Sequence, residues 1–121
     1  VGFAPAAPDR HEWLIQLMEG VEDIPGSALT EGIKWGWESY PEYLDVLEQL
    51  PRVMDIGSSI AHGPLRAYVI GERGAANAEP TDAEIVEMAR LVEEALRAGA
   101  FGEAVSPGEL LEQVRTALQS A

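Results

Sequence analysis

The chain has 121 residues, of which 46% are hydrophobic and 24% are charged, a balance that predicts one globular domain rather than a disordered segment. Its 21 acidic and 8 basic residues give a net charge of −13, which argues against nucleic acid and anionic membranes as partners. The absence of cysteine excludes disulfides and thiolate chemistry within the chain. The acidity is typical of a solvated surface, and a basic protein partner is the alternative.

No targeting or membrane signal is visible in these residues. No run approaches the roughly 18 consecutive apolar residues of a transmembrane helix, and no charged segment followed by an apolar one predicts a signal peptide. We therefore expect a cytoplasmic protein. The chain begins at Val1 rather than at an initiator methionine, which suggests a processed or excised start.

The first predicted helix follows a proline-rich lead-in over residues 1–8. Asp9 and Glu12 have the spacing of a capping box. In this motif the first side chain accepts from a backbone N–H of the helix, and the second accepts from the backbone N–H of the first residue. Apolar residues then recur every three or four positions as far as about Glu22, which predicts an amphipathic helix. Residues 26–38 are predicted to be a loop that holds about one helical turn.

A second helix is predicted over residues 41–50, because Ser39 can cap it and a proline suits its first turn. The best strand candidate spans residues 53–60, which are β-branched at both ends. Beyond this strand, a short helix is predicted over residues 63–70. An unpatterned connection is predicted over residues 71–80.

The clearest pattern in the chain predicts a helix over residues 82–98. Thr81 and Glu84 form a capping box, an apolar stripe runs along the segment, and a glycine stands at the C-cap. A short strand over residues 101–105 and a last helix over residues 107–118 complete the prediction.

Together these elements predict a mainly α fold with one or two short strands, in a single domain over residues 1–121. A lone strand would leave its backbone groups unpaired. Either it pairs with a second copy of the chain, or the segment has been taken out of a larger sheet. We expect the core to form around the helices at 10–22, 41–50 and 82–98.

Residues that carry chemistry are sparse. The two histidines, His11 and His62, lack the H-x-H or H-E-x-x-H spacing of a metal motif, so no metal ligand and no catalytic residue is assigned. His11 is expected to be solvated in the first turn of a helix. His62 follows the predicted strand at its C-terminal end, where α/β barrels keep functional residues, and a structural bond to a backbone carbonyl is the simpler alternative. The three tryptophans are expected to be core or interface anchors rather than sugar platforms.

Four segments resemble the N-acyl-D-amino-acid deacylase (D-aminoacylase-like) branch of the amidohydrolase superfamily. They occur in order and with family-like spacing within residues 1–102, at 9–25, 35–44, 62–71 and 84–102. The third reads HGPLRAYVIG and contains His62 and Arg66. Residues 103–121 depart from the family and are similar instead to the last helix of response-regulator receiver domains.

The resemblance implies a fragment of an (α/β) barrel that hydrolyses N-acyl-D-amino acids through a water activated by zinc. It implies that the family's zinc ligands lie outside this chain, so that no cofactor is expected in the chain itself. It places His62 and Arg66 near the mouth of the parent's active site, in the substrate pocket.

Three functional hypotheses remain open. The chain is a truncated or remodelled piece of a zinc amidohydrolase without activity of its own, or it is one part of a longer, active deacylase. The third hypothesis is a helix-rich interaction module, because a piece of a barrel exposes apolar surface and strand edges that a second copy can cover. In that case the partner is expected to be a homo-oligomer formed through one stripe, which consists of Ile85, Met88, Val92 and Leu96.

Overall fold

The computed structural model describes residues 2–104, and helices account for most of them. The predicted last helix over 107–118 lies outside these residues. After a 3-10 turn over Pro8–Arg10, the helices and strands follow in the order α1 (His11–Glu22), α2 (Gly26–Gly32), α3 (Tyr40–Gln49), β1 (Ile60–Ala61), α4 (His62–Ile70), α5 (Glu72–Ala75), α6 (Asp82–Ala98) and β2 (Glu103–Ala104).

The start of α1 differs from the prediction. No side-chain cap forms at the N-cap residue Arg10, so the predicted capping box of Asp9 and Glu12 is wrong. Pro8 begins a 3-10 turn instead, and the N–H of Arg10 donates to the carbonyl oxygen of Ala7 at 2.9 Å. This turn leads the chain directly into the helix, so that no separate side-chain cap is used.

The segment predicted to be a loop over 26–38 contains the seven-residue helix α2. Thr30 Oγ1 donates to the carbonyl oxygen of Gly26 at 2.8 Å within this helix. Two glycines give α2 a weak intrinsic preference for helix, but it packs against α1. Tertiary contact therefore stabilises a seven-residue helix where the sequence pattern predicted about one helical turn within a loop.

The predicted starts of α3 and α6 are confirmed. In α3, Ser39 Oγ accepts from the N–H of Glu42 at 3.3 Å, while Glu42 Oε2 accepts from the N–H of Ser39 at 2.8 Å. In α6, Thr81 and Glu84 make the same pair of bonds at 3.3 and 2.7 Å. A capping box joins residues three apart, so its pattern can be recognised without tertiary information.

The predicted strand over 53–60 is wrong for most of its length. Strand geometry is confined to Ile60–Ala61, which pairs in parallel with Glu103–Ala104 in the register Ile60 to Glu103. Residues 53–57 are exposed, and Val53 reaches 98% exposure. Within residues 2–104 no further strand is present to extend the ladder, so this segment has strand-like composition without a strand partner.

The barrel is not present in the described residues, which form a two-stranded sheet with helices around it. The described part of the chain therefore shows a mainly helical fold. The end of the predicted strand forms β1, and β1 pairs with β2 of the same chain. Neither a second copy nor a larger sheet is therefore required for this pairing. Among the described helices, none is long and apolar enough to cross a membrane.

The core lies between α4 and α6, with α3 against α6. The prediction placed helices 10–22, 41–50 and 82–98 at the centre. Helices α3 and α6 do contribute to the core, and α1 buries Leu14 and Ile15 at 1% and 8% exposure, but α4 takes the central position and α1 packs mainly against α2 and the 3-10 turn. The buried core residues are Ala4, Tyr40, Ile60, Leu65, Ile70, Met88, Leu91, Val92, Ala95 and Ala100. Leu65 of the nine-residue α4 is 0% exposed, which fixes this helix in the core.

The stripe of α6 that was predicted to bind a second copy faces the chain's own core. Met88 and Val92 are 1% and 8% exposed, and Ile85 packs against the same core. Of the four predicted contact residues, Leu96 is the exposed one. A different apolar set is exposed instead, which we call the 50–56 surface and which consists of Leu50, Val53, Met54 and Ile56.

Candidate functional site

A cleft of about 500 Å³ lies beside α4, at the C-terminal end of β1. We call it the α4 cleft. It is lined by Trp13 and Leu17 of α1, His62, Gly63 and Arg66 of α4, Gly74 of α5, and Asn77. The position after the predicted strand singled out His62, and the family resemblance added Arg66; both residues line this cleft.

The polar side of the cleft is set by the start of α4. Ala61 ends β1 in an extended conformation and is also the N-cap of the helix, so His62 is the first helical residue. His62 and Arg66 are four residues apart and therefore share one face of the helix. No side chain caps this end of α4, and its first turn carries no acidic residue. The positive end of the helix dipole is therefore directed toward this region without a local carboxylate to offset it.

Arg66 is half-buried and is held in place by the backbone. Its Nη2 donates to the carbonyl oxygen of Ala78 at 2.6 Å, which joins the segment after α5 to α4. The guanidinium group has further N–H donors beyond this bond. Within residues 2–104, Arg66 forms no ion pair with a carboxylate.

Gly74 allows α5 to approach α4 closely. A Cβ at this position would lie 2.8 Å from the carbonyl oxygen of Arg66 and 3.1 Å from the Cβ of Ile70. Asn77 follows in the left-handed region with a φ of 57°, and its N–H donates to the carbonyl oxygen of Gly74 at 3.1 Å. The close approach of α5 to α4 at Gly74 and the turn at Asn77 together form one edge of the cleft.

The apolar side of the cleft comes from α1. Trp13 and Leu17 are four residues apart and lie on one face of that helix. A Cβ at Gly63 would be 3.5 Å from Leu17 Cδ2, which is an ordinary contact distance, so α1 rests on the first turn of α4. The cleft therefore has an apolar wall on one side and a guanidinium group on the other.

The charge of the cleft differs from that of the rest of the chain. None of the described lining residues is acidic, although the chain carries a net charge of −13. Two other clefts each combine carboxylates with arginines among their lining residues. The α4 cleft therefore favours an anion over a cation.

The described residues do not provide a metal site. Between positions 2 and 104, no group of three or more His, Cys, Asp or Glu side chains could hold a metal ion. These residues therefore do not form a zinc site by themselves, and no hydrolytic step through zinc can be built on them.

His11, expected to be solvated, is half-buried against an aromatic cluster instead. Its ring stacks on Trp35, which also contacts Phe3 and Trp37. Trp37 Nε1 donates to the carbonyl oxygen of Phe3 at 2.8 Å, so this part of the cluster anchors the N-terminal segment. Trp35 and Trp37 thus serve as the structural anchors that the sequence predicted, whereas Trp13 lines the cleft.

Sequence reasoning missed Trp13, Leu17, Gly74 and Asn77 as cleft residues. The spacing of Trp13 and Leu17 identified one face of a helix, but nothing local indicated that α4 would pack beside it. Gly74 and Asn77 stand in a segment without periodicity, where a glycine and an asparagine are usual turn residues.

Part of this sequence is similar to segments of much longer proteins. Two uncharacterized proteins, of Mycobacterium tuberculosis and Mycobacterium bovis, are each 37% identical to it over 90 residues, which cover 71% of this chain and 15% of theirs. A D-aminoacylase of Alcaligenes xylosoxydans xylosoxydans is 36% identical over 89 residues, which cover 74% of this chain and 18% of the relative.

The chain therefore spans less than a fifth of the length of these curated relatives. No family model and no solved structure matches it. The similarity to a D-aminoacylase supports the family resemblance in part, over a fraction of the relative's length.

Proposed function

We propose that this chain is a piece of a longer zinc amidohydrolase that hydrolyses N-acyl-D-amino acids, and that it lacks this activity alone. The observation that carries the proposal is the 36% identity to a D-aminoacylase over 74% of this chain. Since the described residues do not form a metal site, the metal ligands would come from the remainder of the longer protein.

In this proposal the piece contributes the α4 cleft to the mouth of the substrate pocket. His62 and Arg66 follow a strand of a parallel pair, at the C-terminal end where α/β barrels place functional side chains. Arg66 is fixed by its bond to Ala78, which would keep its guanidinium group in position for an anionic part of the substrate.

The 50–56 surface supports the view that the chain belongs to a larger protein. Val53 and Met54 are 98% and 69% exposed, and Phe101, whose ring lies beside Gly57, is 81% exposed. Exposure of several large apolar side chains close together favours an interface over free surface. In the longer protein, other segments would cover these side chains.

The test compares the 121-residue chain with a longer polypeptide that contains it. Both are purified with zinc available and assayed with N-acetyl-D-methionine and its L enantiomer, and their metal content is measured on the same samples. We expect D-selective hydrolysis by the longer polypeptide, and no stoichiometric zinc in the short chain. Stoichiometric zinc and hydrolysis in the short chain, or a zinc-loaded longer polypeptide that leaves the D substrate intact, would contradict the proposal.

Self-association is a second candidate function, and the 50–56 surface is the observation that favours it. A second copy could cover these apolar residues, whereas the α6 stripe is already buried. Because each copy carries a net charge of −13, the dimer should strengthen as salt screens the repulsion. The measurement is solution mass at several salt concentrations, for the wild type and for Val53→Asp. A monomer at high micromolar concentration under all conditions would exclude this function.

A further inference from the structure

We propose that residues 53–57 are a docking site for an extended segment of another polypeptide, in which apolar residues alternate with Lys or Arg. We call these residues the 53–57 segment. The partner pairs with the backbone of this segment as an added β-strand, and one of its cationic side chains pairs with Asp55. This inference goes beyond the proposed function and does not depend on it, since the partner is a separate chain and no hydrolysis is involved.

The backbone of the 53–57 segment is free to pair with a strand. Its residues are exposed, and within the described part of the chain their N–H and C=O groups form no hydrogen bond. The chain runs from this segment into a strand pair, because the carbonyl oxygen of Ser58 accepts from the N–H of Phe101 at 2.9 Å and Ile60 begins β1. An exposed stretch with unpaired backbone groups beside a strand pair is a template for strand addition. No internal hydrogen bond has to break when the segment becomes extended.

The side chains of the segment alternate in the way that a strand requires. Successive side chains of a strand point to opposite faces, so Met54 and Ile56 would share one face while Val53 and Asp55 share the other. Val53, Met54 and Ile56 are 98%, 69% and 55% exposed, and the β-branched residues among them favour strand geometry. A partner that places apolar side chains on the face of Met54 would bury these residues together with its own.

The charge beside the segment favours a cationic partner. A cleft of about 480 Å³, which we call the Asp55 cleft, is lined by Leu50, Arg52, Val53, Met54 and Asp55. Arg52 is already paired, because its guanidinium group donates to the carbonyl oxygens of Leu47 and Glu48 and lies 3.0 Å from the Glu48 carboxylate. Asp55 forms no ion pair with any described residue. Its carboxylate is therefore the uncompensated charge of this cleft, and a Lys or Arg opposite it on a partner strand is favourable.

A second copy of the chain is a poorer partner for the same segment. Two antiparallel copies that pair Met54 with Ile56 place Asp55 opposite Asp55, and like charges directly opposite each other destabilise a strand pair. Each copy also carries a net charge of −13. A basic partner reverses both effects, which favours a separate polypeptide. The two alternatives respond to salt in opposite directions, since screening weakens the attraction of a basic segment and relieves the repulsion between copies.

The experiment titrates the 121-residue chain with a blocked peptide of alternating lysine and valine, KVKVKVK, and follows amide shifts and hydrogen exchange by NMR. Two comparison peptides separate strand pairing from general attraction to an acidic protein. KVKPKVK keeps every lysine but has a proline at its centre, and EVEVEVE keeps the alternation with the opposite charge. We expect saturable binding of KVKVKVK with slower exchange at the amides of the 53–57 segment. Binding of KVKPKVK should be about tenfold weaker, and EVEVEVE should not bind.

Four single-residue variants test the backbone and charge arguments. Val53→Pro and Met54→Pro each remove an N–H that has no partner among the described residues, so urea unfolding should find both close to the wild type. The N–H groups of adjacent strand residues point to opposite edges, so one of the two should weaken binding about tenfold whichever edge is used. Asp55→Asn should weaken binding about threefold. Asp45→Asn removes the same charge from an exposed position of α3 and should have no effect.

Absence of saturable binding at millimolar peptide would overturn the inference, as would equal affinity for KVKVKVK and KVKPKVK or unchanged affinity in both proline variants. An equal effect of Asp55→Asn and Asp45→Asn would show that net charge, rather than the position of Asp55, attracts the peptide. Slow exchange of the 53–57 amides that appears without peptide and increases with protein and salt concentration would identify a second copy as the partner instead. Hydrolysis by the longer protein affects none of these measurements, so this inference and the proposed function fail separately.

Discussion

The imidazole ring of His11 lies flat on the indole ring of Trp35, with ring centroids 3.8 Å apart and an angle of 5° between the planes. His11 is on α1, and Trp35 is in the segment between α2 and α3. His11 Nε2 is buried and has no hydrogen-bond partner among the described residues. The contact therefore stabilises the fold through ring stacking and apolar burial rather than through a hydrogen bond.

We expect Trp35→Ala to lower the free energy of unfolding by about 2–3 kcal/mol, because the ring contacts Phe3, His11 and Trp37. The measurement is urea unfolding followed by circular dichroism. His11→Phe is the matched variant, since it keeps a ring on Trp35 and removes a buried nitrogen without a partner. It should leave the stability unchanged or raise it by up to about 1 kcal/mol. A large loss in His11→Phe would mean that the imidazole nitrogen has a required partner.

The capping box of α6 provides a second prediction. Thr81→Ala removes the oxygen that accepts from the N–H of Glu84, and should lower the free energy of unfolding by about 1 kcal/mol. Thr81→Ser keeps that oxygen and should stay close to the wild type. Urea unfolding of the three proteins measures the difference, and equal stability of the alanine and serine variants would show that the box contributes little.

The inward direction of the α6 stripe can be tested with two substitutions on that helix. Met88 is 1% exposed, so Met88→Ala should cost about 3 kcal/mol through lost burial and a cavity. Val86 is 61% exposed, and Val86→Ala should change the stability by less than about 0.5 kcal/mol. Thermal unfolding of both variants is the measurement. If Met88→Ala left stability intact but changed the solution mass, the stripe would be an interface between copies after all.

Replacement of glycine by alanine should stabilise the protein at one helical position and destabilise it at another. Gly20 is an exposed residue of α1, and nothing lies within 4 Å of a Cβ added to it. Gly20→Ala should therefore raise the free energy of unfolding by about 0.5–1 kcal/mol. Gly74→Ala places a Cβ 2.8 Å from the backbone oxygen of Arg66 and should lower it by about 1–3 kcal/mol. Urea unfolding measures both. A stabilised Gly74→Ala protein would show that α5 can move away from α4 at no cost.

The pH dependence of stability should include a contribution from Glu84. Its pKa is lowered from the ordinary value of 4.5, chiefly by the hydrogen bond from the N–H of Thr81, and also by Arg73. The Glu84 carboxylate binds a proton less readily in the folded state than in the unfolded state. Its contribution to the free energy of unfolding is therefore fully present above the ordinary pKa. It is lost as the pH falls through the lower pKa of the folded state.

We therefore expect the free energy of unfolding of Glu84→Gln to fall less steeply than that of the wild type as the pH is lowered from about 5 to about 3. Urea midpoints across this range are the measurement. Glu31→Gln removes one charge from exposed α2 and controls for the change in net charge. Parallel acid profiles for the wild type and Glu84→Gln would contradict the assignment.

Local patterns predicted the elements whose stabilising contacts join neighbouring residues. The helix over 82–98 and the start of α3 at Ser39 were predicted correctly, because each capping box joins residues three apart. The helix after the strand was placed within one residue of His62–Ile70. Helix α2 was predicted as about one turn only, and the four-residue α5 was not predicted, since both rely on packing against a neighbouring helix.

The sequence alone determined the acidic charge, the absence of thiolate chemistry within the chain and the main helices. Tertiary structure decided which helix is central, which apolar residues stay exposed and which side chains join His62 and Arg66 in the cleft. The physical reason is the range of the interactions. Capping and helix periodicity act over a few residues, whereas a strand, a core and a cleft depend on contacts between segments far apart in the chain.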